Sequence, residues 1–134
     1  MSWQILDGAD KMELEQVMAL LKQTYWADKR PAEQVKRSME NSRCFGVYLP
    51  REQKLVGFAR VISDLATMYY LCDVVVDKAH RGKGMGQALV AYIEEQPEYR
   101  GLRSVLITRD THRLYRKFGY EPLEGRAMAK GLKK

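Results

Sequence analysis

The chain carries one stretch whose residue types and order suit anion binding: Val74-Val75-Val76-Asp77-Lys78-Ala79-His80-Arg81-Gly82-Lys83-Gly84-Met85-Gly86-Gln87-Ala88-Leu89. An apolar run leads into a glycine-rich turn, and the turn opens an amphipathic helix. The first amides of a helix have no partners within it, and the helix dipole adds partial positive charge there. Glycine lets a ligand approach the backbone closely, and Arg81 and Lys83 add full charges. Arg81, Gly82, Lys83, Gly84, Met85 and Gly86 therefore form a candidate cradle for a phosphate or pyrophosphate. Two common nucleotide signatures fail here. A P-loop needs Ser or Thr where Gly84 stands, and the dinucleotide fingerprint needs glycine where Gln87 stands.

What fits is Arg-x-x-Gly-x-Gly, read as Arg81, Gly84 and Gly86, with the apolar Val76 five positions before the arginine. About thirty residues on comes Leu114-Tyr115-Arg116-Lys117-Phe118-Gly119-Tyr120. The two together resemble the GNAT acyltransferase superfamily, and the order of elements matches over essentially the whole chain. The resemblance implies an N-acetyltransferase that moves an acetyl group from acetyl-coenzyme A to a primary amine by direct attack. The loop amides would hold the pyrophosphate, Val74 would donate its amide to the thioester carbonyl, and Val76 would pair with the pantetheine arm. Tyr115 would be the general acid for the departing thiolate.

The resemblance also shows a departure. Family members often carry Glu or His on the central strand at the positions of Tyr70 and Cys72, and neither residue is a good base at neutral pH. Asp73 or Asp64 acting through water, or His112, are the candidate bases. An asparagine common in the family seven positions before the tyrosine is Thr108 here, with Asp110 nearby. The amine should lie across the sheet from the coenzyme, against Tyr25, Trp26, Arg30 and Phe45, with Asp64 at its edge. A small-molecule or a protein amine would suit. A coenzyme A-binding sensor without turnover is the alternative that the missing strand base motivates.

These residues need a framework, and hydrophobic periodicity predicts one. Residues 3–6 read as a first strand. Residues 12–22 read as a helix with Asp10 as N-cap, and a second helix begins at Pro31 and runs to Asn41. Residues 43–49 and 55–63 read as a hairpin across a polar turn. Residues 67–76 form a nearly continuous apolar run, expected to be a central strand buried on both faces. A helix over 85–95 ends before Pro97. A strand over 102–108, a short helix over 111–118 with Gly119 past its end, and two last strands at 120–123 and 126–129 complete the chain. This order gives a single α/β domain over residues 1–134 around a mixed sheet, and the resemblance implies that the sheet is mostly antiparallel, flanked by about four helices and splayed at the central strand.

Composition narrows the classes. The 134 residues carry a formal charge of +6, which favours anionic partners of any kind. No recognition helix, zinc spacing or exposed aromatic RNA motif accompanies the charge, so no nucleic acid is expected as a partner. No apolar run approaches the ~20 residues of a membrane span. The first residues lack signal-peptide features, so a cytoplasmic monomer or homodimer is expected. Cys44 and Cys72 read as buried free thiols. The two cysteines and two histidines show no paired ligand spacing, so no metal is expected.

Overall fold

The computed structural model describes residues 2–131; of the basic group Lys130, Lys133 and Lys134, which the sequence reads as a solvated tail, the last two lie outside the described residues. Five strands form one sheet in chain order: β1 (Gln4–Asp7), β2 (Arg43–Leu49), β3 (Lys54–Ser63), β4 (Met68–Val76) and β5 (Arg103–Leu106). Neighbours pair antiparallel as far as β4, and β5 runs parallel to β4. The helices are α1 (Leu14–Leu21), α2 (Ala32–Glu40), α3 (Met85–Glu94) and α4 (His112–Arg116). This is the mixed α/β architecture that the periodicity predicts, in the mostly antiparallel form that the resemblance implies.

Local sequence explains the helices. In α1, Val17, Leu20 and Leu21 are buried at helical spacing. In α2, Pro31 is the N-cap, and Val35 and Met39, four residues apart, point inward. Asp10 does not cap α1. It lies in a short 3-10 turn over Ala9–Lys11, and the extended backbone at Met12 separates that turn from the helix.

Successive strand residues point to opposite faces, and two cores result. Cys44, Leu55, Phe58 and Val75 pack against Val17, Leu20, Leu21, Val35 and Met39 of α1 and α2. Phe45, Val47, Val61 and Leu71 pack against Met85, Leu89, Val90 and Ile93 of α3 and against Tyr115 of α4.

The feature that opens the site is in β4. This strand pairs with β5 only over Met68–Leu71. On its other side Arg60 opposes Cys72 and Phe58 opposes Val75, so Asp73 and Val74 together face one residue, Ala59. That is a β-bulge, which bends the strand that carries it. Asp73 has φ 56°. The extra residue moves the alternation on by one: Leu71 packs on the α3 side, whereas Val75 packs on the α1 and α2 side. Past Leu71 the strands β4 and β5 part, and a wedge opens between them.

Two expectations are corrected here. The run over 67–76 is not buried on both faces: Tyr70, Cys72, Val74 and Val76 are only half-buried. Their apolar character belongs to a cleft wall, not to packing between two layers. The two last strands are absent among the described residues, where the sheet ends at β5. Residues 121–131 are exposed, and the charges of Glu121, Glu124 and Arg126 leave no apolar face to bury.

Phe45 is fully buried and meets Tyr92 edge-on at 5.9 Å between ring centroids. Phe45→Ala is expected to lower the free energy of unfolding by about 3–5 kcal/mol, read as a shift of the urea midpoint. A variant of unchanged stability would show that the ring is not part of the core.

Candidate active site

The wedge is the mouth of a cleft of about 1210 Å³. At one end lies the turn before α3. Gly82 has φ 81°, and Gly84, the N-cap of α3, is left-handed at φ 84° and ψ 7°. An L-residue is strained at either position. Among the described residues no acceptor meets the amides of residues 81–87. Gly86 differs from the other two, because its φ is not positive. A Cβ there would sit 3.6 Å from Val76 Cγ2 and 3.9 Å from Leu114 Cδ2, ordinary contacts. The protein's own packing therefore leaves room for a side chain at 86. Arg81 donates from Nε to the Val76 carbonyl at 3.0 Å and ties the turn to the end of β4. The open amides, the dipole of α3 and Arg81 suit a phosphate-bearing group.

The middle of the cleft is lined by Val74, Val76, Leu114 and Tyr115. Tyr115 is buried, and burial pushes its phenol up to about 12. Its hydroxyl has no partner among the described residues, yet no buried polar side-chain atom is left unsatisfied. The hydroxyl therefore reaches the open cleft, protonated and able to donate. Its ring meets Tyr120 edge-on at 5.8 Å. Tyr120 is held by Ser104 and by Glu94 Oε2, which also accepts from Tyr69. That network fixes the chain leaving α4 and so positions Tyr115.

At the other end stands Asp73. Its Oδ1 accepts from Trp26 Nε1 at 3.0 Å, and its Oδ2 accepts from Arg30 Nη1 at 2.8 Å and Arg60 Nε at 3.0 Å. Burial alone would raise its carboxyl pKa. The hydrogen bond from Arg30 and the charges of Arg60 and Arg30 outweigh that and hold the pKa below the ordinary 3.8. Trp26 meets Tyr25 edge-on at 5.0 Å, and Arg109 stacks 3.7 Å over the Tyr25 ring. Cys72 also lines this end, and burial pushes its thiol up to about 11, so it is neutral at pH 7.

The cleft thus brings together Tyr25, Trp26, Arg30, Asp73, Val74, Val76, Thr108, Asp110, Tyr115 and, from the loop, Arg81, Gly82, Gly84, Met85 and Gly86. It does not bring in the others. The side chain of Lys83 is exposed outside the lining. Phe45 belongs to the core, because alternation on β2 turns it to the α3 face. Asp64 is exposed in the turn between β3 and β4, where it accepts from Thr67 Oγ1 and the amides of Ala66 and Thr67. Those bonds, led by the Thr67 hydroxyl, hold its pKa well below the usual range. His112 is exposed at the start of α4 and stands outside the lining. Arg60 was missed in the sequence. Its signal was a lone charge inside the run Val56-Gly57-Phe58-Ala59-Arg60-Val61-Ile62, which demands a buried partner.

Asp73→Asn would leave two guanidinium groups facing each other without their shared anion. The expected loss is about 3 kcal/mol at pH 7, measured by chemical denaturation. The depressed pKa sets the sign with pH. The carboxylate stabilises the fold fully above its unfolded value of 3.8 and loses that effect as pH falls through the lower folded value. The gap between wild type and variant should therefore be widest at neutral pH and shrink in acid.

Known proteins share this fold. The Acetyltransferase (GNAT) family model matches residues 13–120. A GNAT-family crystal structure from Xanthomonas campestris superposes with a TM-score of 0.89 at 34% identity, covering 98% of this chain and 94% of that one. A Staphylococcus aureus structure superposes with a TM-score of 0.80 at 22% identity, covering 98% of this chain and 100% of that one, and shares the fold. The uncharacterised N-acetyltransferase ycf52-like protein of Prochlorococcus marinus is 32% identical over 104 residues, 75% of this chain and 56% of that protein. The match spans 47% to 63% of the length of three curated relatives and less than a third of two others. No helix among the described residues is long and apolar enough to cross a membrane. With the splayed sheet, the glycine turn and the tyrosine helix in place, the chain belongs to the GNAT acetyltransferase family.

Proposed function

We propose that the protein transfers an acetyl group from acetyl-coenzyme A to the nitrogen of a primary amine, in a small molecule or a protein. The observation that carries this reading is the set of open amides over residues 81–87, beside the half of β4 that has lost its neighbour. The same residues fit the cofactor: Gly86 leaves a space that the protein does not fill, and a diphosphate against the backbone would use it. Arg81, Gly82, Gly84, Met85 and Gly86 would hold that diphosphate, and Val74 and Val76 would line the pantetheine arm. The bound thioester supplies the activated acetyl group.

This chain's own residues then have defined tasks. Val74 and Val76, on the α3 side, would shield the thioester arm, while the acceptor end of the cleft stays open to water. An amide of the bulge, at Val74, would meet the charge that develops on the carbonyl oxygen. Tyr115 would give its proton to the departing sulfur, and its phenol stays protonated up to about pH 12. Asp73 is locked as a carboxylate in three hydrogen bonds and takes no proton at neutral pH. The amine therefore loses its proton to water in the open cleft. The locked Asp73 also favours a second reading, a coenzyme A-binding module without turnover. Tight coenzyme A binding with no transfer across a broad amine panel would select it.

Coenzyme A should raise the melting temperature of the protein. Gly86→Ala separates the cradle from the fold, because its two effects have opposite signs. Alanine in a helix is favoured over glycine by about 1 kcal/mol, so the unliganded variant should be at least as stable as wild type. Its coenzyme A affinity should nevertheless fall. Unchanged affinity by calorimetry would show that nothing approaches residue 86.

Tyr115→Phe should lower kcat by roughly a hundredfold or more, with little change in the KM for acetyl-coenzyme A. The wild-type rate should climb with pH towards the amine's own pKa, with no plateau set by a group of the enzyme near neutrality. Equal kcat for Tyr115→Phe and wild type would remove the tyrosine from the mechanism.

A further inference from the structure

Asp73 uses only part of the hydrogen-bonding capacity of the two arginines that hold it. A guanidinium has five N–H donors in a planar fork. Arg30 gives Asp73 one bond from Nη1 and Arg60 gives one from Nε, both to the same oxygen, Oδ2. The other nitrogens of the two groups meet no acceptor among the described residues. They are not sealed in, since no buried side-chain nitrogen lacks a partner. Both arginines line the cleft, with side chains 24% and 11% exposed. Their free edges therefore open into it.

Charge points the same way. Two guanidinium groups converge on one carboxylate oxygen, so one positive charge of the three-residue cluster is uncompensated. Lys29 also lines the cleft, and Asp110 is the one other lining carboxylate among the described residues. Holding two like charges this close is costly, and a second anion would relieve it.

Position separates this cluster from the glycine turn. Arg60 lies opposite Cys72, before the bulge, where the side chains face α1 and α2. Val74 and Val76 pack on the α3 side. The arginine edges thus lie across the sheet from the candidate diphosphate cradle.

We propose that Arg30 and Arg60 bind an oxyanion, a carboxylate or a phosphate, carried by the acceptor, so that the preferred acceptor is an anionic amine. This rests on the transferase reading above and names its substrate class. The two guanidinium forks would take the oxyanion in charge-assisted hydrogen bonds. Trp26 and Tyr25 would form the wall against the carbon chain between oxyanion and amine.

The test compares matched amines in a thiol-release assay with acetyl-coenzyme A. One arm sets β-alanine against β-alaninamide, and the other sets phosphoethanolamine against ethanolamine. The arms distinguish carboxylate from phosphate. In at least one arm the anionic amine should win by roughly ten- to a hundredfold in kcat/KM. Arg30→Gln and Arg60→Gln should bring that ratio towards one, with folding checked by thermal melting. A merely structural pair would lower both members of a couple alike and keep their ratio. The wild-type comparison stands even if a variant fails to fold. Equal use of charged and neutral amines would overturn this proposal and leave acetyl transfer intact. Bound coenzyme A with no transfer to any amine would overturn both.

Discussion

Asp73 holds φ 56° inside a strand, a conformation that costs an L-residue about 1–2 kcal/mol. The cost is met by three donors, Trp26, Arg30 and Arg60, drawn from the segment between α1 and α2 and from β3. That exchange is the constraint on which the cleft depends. The left-handed residue makes the bulge, and the bulge turns the side chains of β4 over between Leu71 and Val75. It also bends the strand away from β5, so that a wedge opens where a fifth residue pair with β5 would otherwise close it. Aspartate tolerates the left-handed region better than most residues, and here its carboxylate is also the anchor that keeps it there.

The two ends of the cleft treat polar groups in opposite ways. At Asp73 each carboxylate oxygen is occupied, so that end is rigid before any ligand arrives. At the turn before α3 the amides of residues 81–87 are open, and the left-handed Gly82 and Gly84 serve only to present them. Asp77, just upstream, is fastened by Gln23, His80 and Lys54. The Gln23 hydrogen bond comes first among the causes that bring its carboxyl down to about 2. The base of the turn is therefore fixed while its tip is free to bind. A site that is rigid at one end and unsatisfied at the other loses little order on binding.

The glycine turn and the tyrosine helix were legible in the sequence because their chemistry is local: a handful of consecutive residues sets each one. Asp73 was half legible. Its need for a partner followed from its place in an apolar run, but the partners lie 13, 43 and 47 residues away in the chain. Only the folded sheet brings them together. Phe45 was misplaced for a related reason. An aromatic residue on a strand can face the cleft or the core, and the choice turns on register and on bulges that spacing does not reveal. Residues 120–123 were expected as a strand, whereas the structure uses the Tyr120 hydroxyl to reach Ser104 and Glu94.

Under the transferase reading, the arginine pair also bears on the absent strand base. A negative charge beside an amine favours its protonated form and hinders its attack. Arg30 and Arg60 exceed Asp73 by one charge, and the acceptor's oxyanion balances that charge when it docks, so the loaded cluster holds no surplus anion to retain the proton of an ammonium group. Tyr115 and Cys72 stay neutral and Asp73 stays charged throughout the neutral range, so that balance does not change as the pH moves through it. A neutral Tyr70 and a neutral Cys72, where the family resemblance leads one to expect a base, then fit the site, because a carboxylate there would compete with the acceptor's oxyanion for the two arginines and leave the cluster negative.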